Sequence, residues 1–305
     1  MLRPTLLWLS ERRAIAGLVP DAMARRFVAG DTVQQAVQAA VELQAKGITT
    51  TLDLLGESVH SPAETEAACA TYVDMVQRMA AARLEVNVSV KLTQMGFDLD
   101  ETLCLRNVAR ILDAAKAADG FVRLDMEGSA YTQRTLDFYR AKLRPLYGDH
   151  CGVVLQSMLR RTDADVAALC AEQVRVRLCK GAYLEPAAVA FPEKSDVDFS
   201  YVRNMERLMA EGHYPGLATH DEAIIRRACA FARERGIGPE RFEFQMLYGV
   251  RRDLQLRLRQ DGWRVRVYLP FGTQWYPYLM RRLAERPANI AFILGNMVRE
   301  ALPGR

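Results

Sequence analysis

Two kinds of hydrophobic pattern alternate along this chain. Short runs rich in β-branched or apolar residues, bounded by Gly or polar positions, occur at 48–54, 85–92, 121–126, 152–156, 174–179, 216–219, 242–246 and 265–269. They have the length and composition of buried strands. Between them lie longer segments with helical period, each with an apolar stripe and a charged face. The spacing predicts helices over 32–46 (capped by Asp31 and stopped at Gly47), 61–82, 101–118, 132–143 (stopped by Pro145), 162–172, 199–211, 221–234 and 250–260. Ser61-Pro62-Ala63-Glu64 reads as a capping box with Pro in the first helical turn. Eight strands alternating with helices predict a (βα)8 barrel. The domain reading is an N-terminal helical segment at 1–30 and a barrel catalytic domain at 31–305. Two helical pieces, 276–286 and 288–300, close the chain, the first expected over the barrel mouth.

Composition narrows the function classes. The chain has 305 residues, 50% hydrophobic and 26% charged, with a net charge of +4 that is dispersed rather than gathered in a tail. That charge is a weak footprint for nucleic acid, and none is expected as a partner. No run approaches the ~18 apolar residues of a membrane span, and the first sixteen residues lack the layout of a secretory signal. The six Cys form no C-x-x-C pair, which argues for a reducing compartment and against a Cys-based metal site. H-E-x-x-H, G-x-G-x-x-G and the P-loop motif are all missing, so no metal is expected, and a Rossmann dehydrogenase or P-loop NTPase is disfavoured.

In such a barrel, chemistry sits at the C-terminal strand ends. In order, those ends offer Asp53 and Glu57, Lys91, Asp125 and Glu127, Gln156, Arg177 and Lys180 with Tyr183, Thr219 and His220, Gln245, and Tyr268. Polar residues collect wherever a strand meets water, so a single one says little; the full ring says more. Two of the six lysines, in a chain with 35 arginines, fall at such ends. Arg281-Arg282, behind the aromatic run Trp275-Tyr276-Pro277-Tyr278, would form a guanidinium clamp for a carboxylate or phosphate if their helix overlies the mouth. Arg doublets recur elsewhere in the chain, so the doublet alone is more often a solvated face. The residues by themselves leave three readings open: a barrel enzyme that clamps a small carboxylate or phosphate, a Schiff-base lyase or aldolase using Lys91 or Lys180, and a non-catalytic barrel binding RNA or anionic lipid.

The motifs, taken in series, resemble those of proline dehydrogenases. Arg177-Leu178-Cys179-Lys180-Gly181-Ala182-Tyr183 resembles the family's R-L-x-K-G-A-Y strand end. Ala218-Thr219-His220-Asp221 is similar to its A-T-H-N/D segment, and Glu243-Phe244-Gln245-Met246-Leu247-Tyr248-Gly249 to E-F-Q-x-L-x-G. Arg266-Val267-Tyr268-Leu269-Pro270-Phe271-Gly272 and Tyr278-Leu279-Met280-Arg281-Arg282-Leu283-Ala284-Glu285-Arg286 resemble the closing segments. Earlier matches lie at Leu52-Asp53-Leu54-Leu55-Gly56-Glu57, Ser89-Val90-Lys91-Leu92, Leu124-Asp125-Met126-Glu127 and Leu155-Gln156. They run in family order from about residue 47 to 294.

The resemblance implies a flavoenzyme on a distorted barrel. It would oxidise L-proline to Δ1-pyrroline-5-carboxylate with FAD and pass electrons to a membrane quinone. Arg281 and Arg282 would hold the substrate carboxylate, with Lys91 approaching it and Asp125 holding nearby cations in place. Tyr183, Leu247, Tyr268 and Tyr278 would pack the substrate ring against the flavin, Tyr183 touching the cofactor as well, and Arg177 would stand near the flavin atom that accepts hydride. Gln156, Lys180, Gly181, Ala182, Thr219, His220, Gln245 and Glu285 would contact the cofactor. Leu184 replaces a Trp that stacks on the adenine in bifunctional members. Transfer of product to a pyrroline-5-carboxylate dehydrogenase, and a cytoplasmic location with peripheral contact at the inner face of the cell membrane, complete the expectation.

Overall fold

The computed structural model describes residues 26–56 and 59–279. Eight parallel strands close into one barrel in simple sequential order: β1 (Thr49–Leu54), β2 (Asn87–Val90), β3 (Phe121–Leu124), β4 (Cys151–Gln156), β5 (Val176–Cys179), β6 (Gly216–Ala218), β7 (Glu243–Leu247) and β8 (Val265–Phe271). Closure is made by β1 on β8, in register from Thr49 against Arg266 to Leu54 against Phe271. Each expected strand is found, within a few residues at its ends.

The helices are α1 (Val33–Gln44), α2 (Pro62–Ala81), α3 (Glu101–Ala117), α4 (Ser129–Phe138), α5 (Arg144–Tyr147), α6 (Thr162–Ala171), α7 (Lys194–Glu211), α8 (Glu222–Arg235) and α9 (Arg252–Gln260). Several boundaries differ from the expectation, each for a local reason. Thr32, not Asp31, caps α1, because its hydroxyl accepts from the Gln35 backbone while the Gln35 side chain returns to the Thr32 backbone. Ser61 caps α2 as expected, but Glu64 reaches back to the His60 N–H rather than to Ser61. Pro145 does not stop its helix. The chain passes from α4 through a π turn (Tyr139–Leu143) into α5, and the widened turn accommodates the proline. Helix α7 begins five residues early, at Lys194, and α9 begins only at Arg252 because Arg251 adopts a positive φ of 50°. The 276–286 helix is present over 275–279; its remainder, the 288–300 helix, nearly all of the 1–30 segment and Glu57 fall outside the described residues.

The period-2 alternation of the strands divides the core. One face, including Leu52, Val88, Val90, Val122, Leu124, Val153, Leu155, Leu178, Leu217, Phe244, Val267 and Leu269, is buried and apolar and packs beneath the helices. The other face points into the barrel. Bulky aliphatics usually fill such an interior, but here it holds Thr51, Asn87, Ser89, Arg123, Arg177, Glu243, Gln245 and Arg266, all buried. Buried charges persist only when paired. Arg266 accordingly donates to Glu243 (2.7 Å), Glu85 (2.5 Å) and the Thr50 carbonyl (2.8 Å).

Candidate active site

At the C-terminal ends of the strands a cavity of about 670 Å³ opens, lined by residues from all eight strand ends and by the loop between β5 and α7. Its floor is a charged lattice. Lys91, just past β2, has its Nζ 3.1 Å from Asp53 Oδ1 and 4.0 Å from Asp125 Oδ2. Arg177 on β5 donates from Nη1 to Asp125 Oδ1 (2.7 Å) and Ser89 Oγ (3.1 Å), and from Nε to Gln245 Oε1 (2.5 Å). The Tyr268 hydroxyl donates to Asp125 Oδ2 at 2.8 Å, and its ring centroid lies 5.2 Å from the Arg177 guanidinium carbon.

The electrostatics follow from this packing. Burial pushes the Asp53 carboxyl above its usual range against the pull of Lys91, and Asp125 adds to the rise. Burial, reinforced by Asp125 and Asp53, pushes the Tyr268 phenol well above its ordinary value, so it stays a neutral donor. Arg177 Nη2 is buried and has no hydrogen-bond partner among the described residues. A planar guanidinium tied at Nε and Nη1 has its third nitrogen fixed in direction as well.

Around the rim, Lys180 pairs with Asp198 (2.5 Å) and Asp221 (2.9 Å), and Lys194 pairs with Asp198. Burial raises Asp221, but hydrogen bonding and charge from Lys180 outweigh it and hold the carboxyl below its usual range. Thr219 Oγ1 accepts from the Asp221 N–H, and His220 Nε2 accepts from the Leu247 N–H at 2.8 Å, which leaves the ring proton on Nδ1. Gly181 has φ of 109°, and a Cβ there would collide with Met158 Sδ and stand 2.6 Å from its Cγ; only glycine lets this backbone lie against the cavity wall.

Of the residues singled out in the sequence, Lys91, Asp125, Gln156, Arg177, Lys180, Gly181, Ala182, Tyr183, Thr219, His220, Gln245, Leu247, Tyr268 and Tyr278 all line this one cavity. Arg281, Arg282 and Glu285 fall outside the described residues. Two side chains are committed elsewhere. Gln156 donates to the Glu127 carbonyl (2.9 Å), and Gln245 holds Arg177 at one end and Glu243 at the other. The Schiff-base alternative loses ground, since the Lys91 and Lys180 Nζ atoms are each engaged by carboxylates, Lys91 by Asp53 and Lys180 by Asp221. Sequence reading passed over Asp198 and Lys194, in a stretch assigned to no element. It also left Glu243 and Arg266 without a role, although charges at inward positions of apolar strands were visible in the period-2 pattern.

An eight-stranded parallel barrel with cations pinned beneath a mouth cavity is the framework of a small-molecule enzyme. Its relatives specify which. The family model for proline dehydrogenase matches residues 36–294. The proline dehydrogenase of Deinococcus radiodurans is 42% identical over 305 aligned residues, covering 98% of both chains. Proline dehydrogenase 1 of Bacillus subtilis strain 168 is 38% identical over 304, covering 98% of this chain and all of the relative. Among solved structures, proline utilization A of Bdellovibrio bacteriovorus, inactivated by N-propargylglycine, superposes with a TM-score of 0.80 at 24% identity, over 86% of this chain and 32% of the much longer one, a likeness of fold. The chain belongs to the proline dehydrogenase family, oxidoreductases of proline catabolism that generally depend on flavin.

Proposed function

We propose that this chain oxidises L-proline to Δ1-pyrroline-5-carboxylate, uses FAD as its flavin, and passes the electrons to a quinone. One observation weighs most: a cation, Arg177, is clamped under a cavity of about 670 Å³ with a buried N–H₂ group that no described residue takes up. A bound group on which negative charge develops would be stabilised by that guanidinium, and a flavin accepting hydride is such a group. The Gly181 cradle against Met158 and the donors Lys180, Thr219 and His220 along one rim suit the rest of a dinucleotide.

When bound, the flavin supplies a two-electron acceptor for hydride from the carbon next to the substrate nitrogen. The remaining work belongs to the chain. Lys91, with Arg281 and Arg282, holds the substrate carboxylate. Tyr183, Leu247, Tyr268 and Tyr278 wall the substrate ring and exclude water. Asp125 keeps Lys91, Arg177 and the Tyr268 hydroxyl in mutual register. Lys180, Gly181, Ala182, Thr219, His220 and Glu285 hold the cofactor, with the Gln156 side chain buttressing that wall through the Glu127 carbonyl. Gln245 acts through Arg177 rather than by direct contact. The substrate amine must be neutral for its lone pair to support the developing iminium, and its proton leaves to water or to the polar network rather than to a dedicated base.

Among the described residues no helix is long and apolar enough to cross a membrane. Contact with quinone is proposed to be peripheral, at the cytoplasmic face, as the family resemblance implies, with the product passing to a pyrroline-5-carboxylate dehydrogenase. The test is spectroscopic. Purified protein should show visible flavin bands, L-proline should bleach them without oxygen, and a short-chain quinone should restore them. Colourless protein that takes up no FAD on reconstitution refutes the reading.

A further inference from the structure

The deepest charges of the barrel interior have no part in the chemistry described so far. Glu243 lies on β7, two residues below Gln245, and does not reach the cavity. Its Oε1 accepts from Gln245 Nε2 at 2.6 Å and from Arg266 Nε at 2.7 Å, and its Oε2 accepts from the Tyr214 hydroxyl at 3.2 Å. An ionised carboxylate can only accept. It therefore fixes which end of the Gln245 carboxamide faces down, and leaves the oxygen to face Arg177 Nε. Were the amide reversed, two N–H groups would confront one another and Arg177 would lose one of the ties that set its plane.

The sheet register makes room for this relay. Gly216 on β6 lies between Arg177 on β5 and Glu243 on β7. A Cβ on Gly216 would collide with Gln245 Nε2 and stand 2.8 Å from Cδ, so the carboxamide occupies the space a side chain would take and bridges two strands across it. Gly216 has no unusual φ that would demand glycine; the requirement is the amide's volume.

We propose that Glu243 is a positioning residue which, through the Gln245 carboxamide seated over Gly216, holds the Arg177 guanidinium in the orientation the reaction needs. This deepens the proposed function and rests on it for its kinetic consequence, though not for its geometric one.

Two substitutions test it by different routes. Glu243→Gln lets the Gln245 amide flip; Gly216→Ala displaces that amide sterically without changing any charge. Three readouts apply to holoenzyme. The rate of flavin reduction by L-proline should fall at least about 10-fold in both variants with the KM for proline within about 3-fold of wild type, the signature of an interaction used mainly beyond the ground state. Sulfite, which adds to an electron-poor flavin and so reports positive charge beside it, should bind about 10-fold more weakly. The sign is decisive for Glu243→Gln, because mere removal of a buried negative charge would tighten sulfite binding. The double variant should be no worse than the poorer single one.

A flavin-independent readout separates this inference from the assignment of function. The Arg177 Nε–H resonance, identified by its loss in Arg177→Lys, should lie downfield and exchange slowly in wild type and move upfield in both variants. Unchanged reduction rates, tighter sulfite binding in Glu243→Gln with no change in Gly216→Ala, losses cured by saturating FAD, or an unmoved Arg177 signal would each overturn the proposal. If Glu243→Gln fails to fold, Gly216→Ala decides alone. If wild type itself binds no flavin, the proposed function fails and the resonance still decides the geometry.

Discussion

Lys91→Met is the perturbation whose size the structure constrains best. The ammonium sits 3.1 Å from Asp53 Oδ1 and 4.0 Å from Asp125 Oδ2. At an effective dielectric of about 20, those distances correspond to attractions of about 5 and about 4 kcal/mol before desolvation is charged against them. Taking the intact cluster as roughly break-even against an apolar one, loss of the cation alone leaves a buried carboxylate unpaired, a defect of about 3–5 kcal/mol. Asp53 has a way out: it can take up a proton, and burial already pushes its carboxyl upward from the usual 3.8. Neutralising a carboxyl of that ordinary pKa costs about 4 kcal/mol at pH 7 and about 1.5 kcal/mol at pH 5. The penalty of Lys91→Met relative to wild type is therefore capped, and the cap falls as pH drops. The sign agrees with linkage: a carboxyl raised in the folded state favours folding below its unfolded pKa and loses that contribution as pH rises through the folded value. Urea denaturation of wild type, Lys91→Met and Asp53→Asn/Lys91→Met at pH 5 and pH 7 provides the check. The single variant should lose about 4 kcal/mol at pH 7 and under half of that at pH 5, and the double should recover to within about 1 kcal/mol of wild type at both. An equal loss at both pH values, or a double variant as unstable as the single, would refute the buried-pair reasoning.

Three further outcomes are expected. Burial pushes the Glu243 carboxyl up, but the charge and hydrogen bond of Arg266, with the Gln245 amide, more than reverse this and bring it down to about 2 from 4.5. Stability is thus present above pH 4.5 and lost as pH falls towards 2, by on the order of 3 kcal/mol; near-UV circular dichroism should show this acid limb in wild type and not in Glu243→Gln. Gly152→Ala places a Cβ against the Arg175 carbonyl oxygen, 2.8 Å from Phe121 Cζ and 2.9 Å from Arg123 Nη1, so thermal unfolding should report about 1–3 kcal/mol of overpacking loss. Tyr268→Phe removes one charge-assisted hydrogen bond to Asp125 and should lower kcat/KM for L-proline about 10-fold with flavin content unchanged; an unaltered kcat/KM would remove Tyr268 from the floor.

The barrel was legible because strand and helix carry different periods, and the chain keeps them cleanly apart. What escaped was settled by short-range competition or long-range contact. Thr32 displaced Asp31 as the cap because only Thr32 meets Gln35 reciprocally. The early start of α7 went unseen because Lys194, Asp196 and Asp198 are charged and show no apolar stripe; two of them are held by partners at the cavity rim. The site's membership was readable as polar residues at strand ends, since strand ends converge in any closed barrel. Its wiring was not. Nothing local says that Gln245 turns its oxygen towards Arg177, because that choice is made by Glu243 below it and by the space over Gly216, a strand away.

The polar interior bears on where this fold gets its stability. Of the two faces of each strand, the outward one buries Leu52, Val122, Leu155, Leu178, Phe244 and Val267 under the helices, so the apolar driving force is realised in the layer between strands and helices. Substituting the interior does not remove that layer. It does remove partners from charges that cannot reach water, and the penalty for an orphaned buried charge exceeds the net gain from a paired one. Single substitutions inside the barrel should therefore be severe while matched double substitutions are mild, and the reverse should hold under the helices, where enlarged cavities accumulate. Such a division lets the floor beneath the cavity be rigid through mutual hydrogen bonding rather than through packing. Rigidity of that kind fixes the direction of an Arg177 N–H to the precision of a hydrogen bond, and leaves the mouth of the barrel open above it.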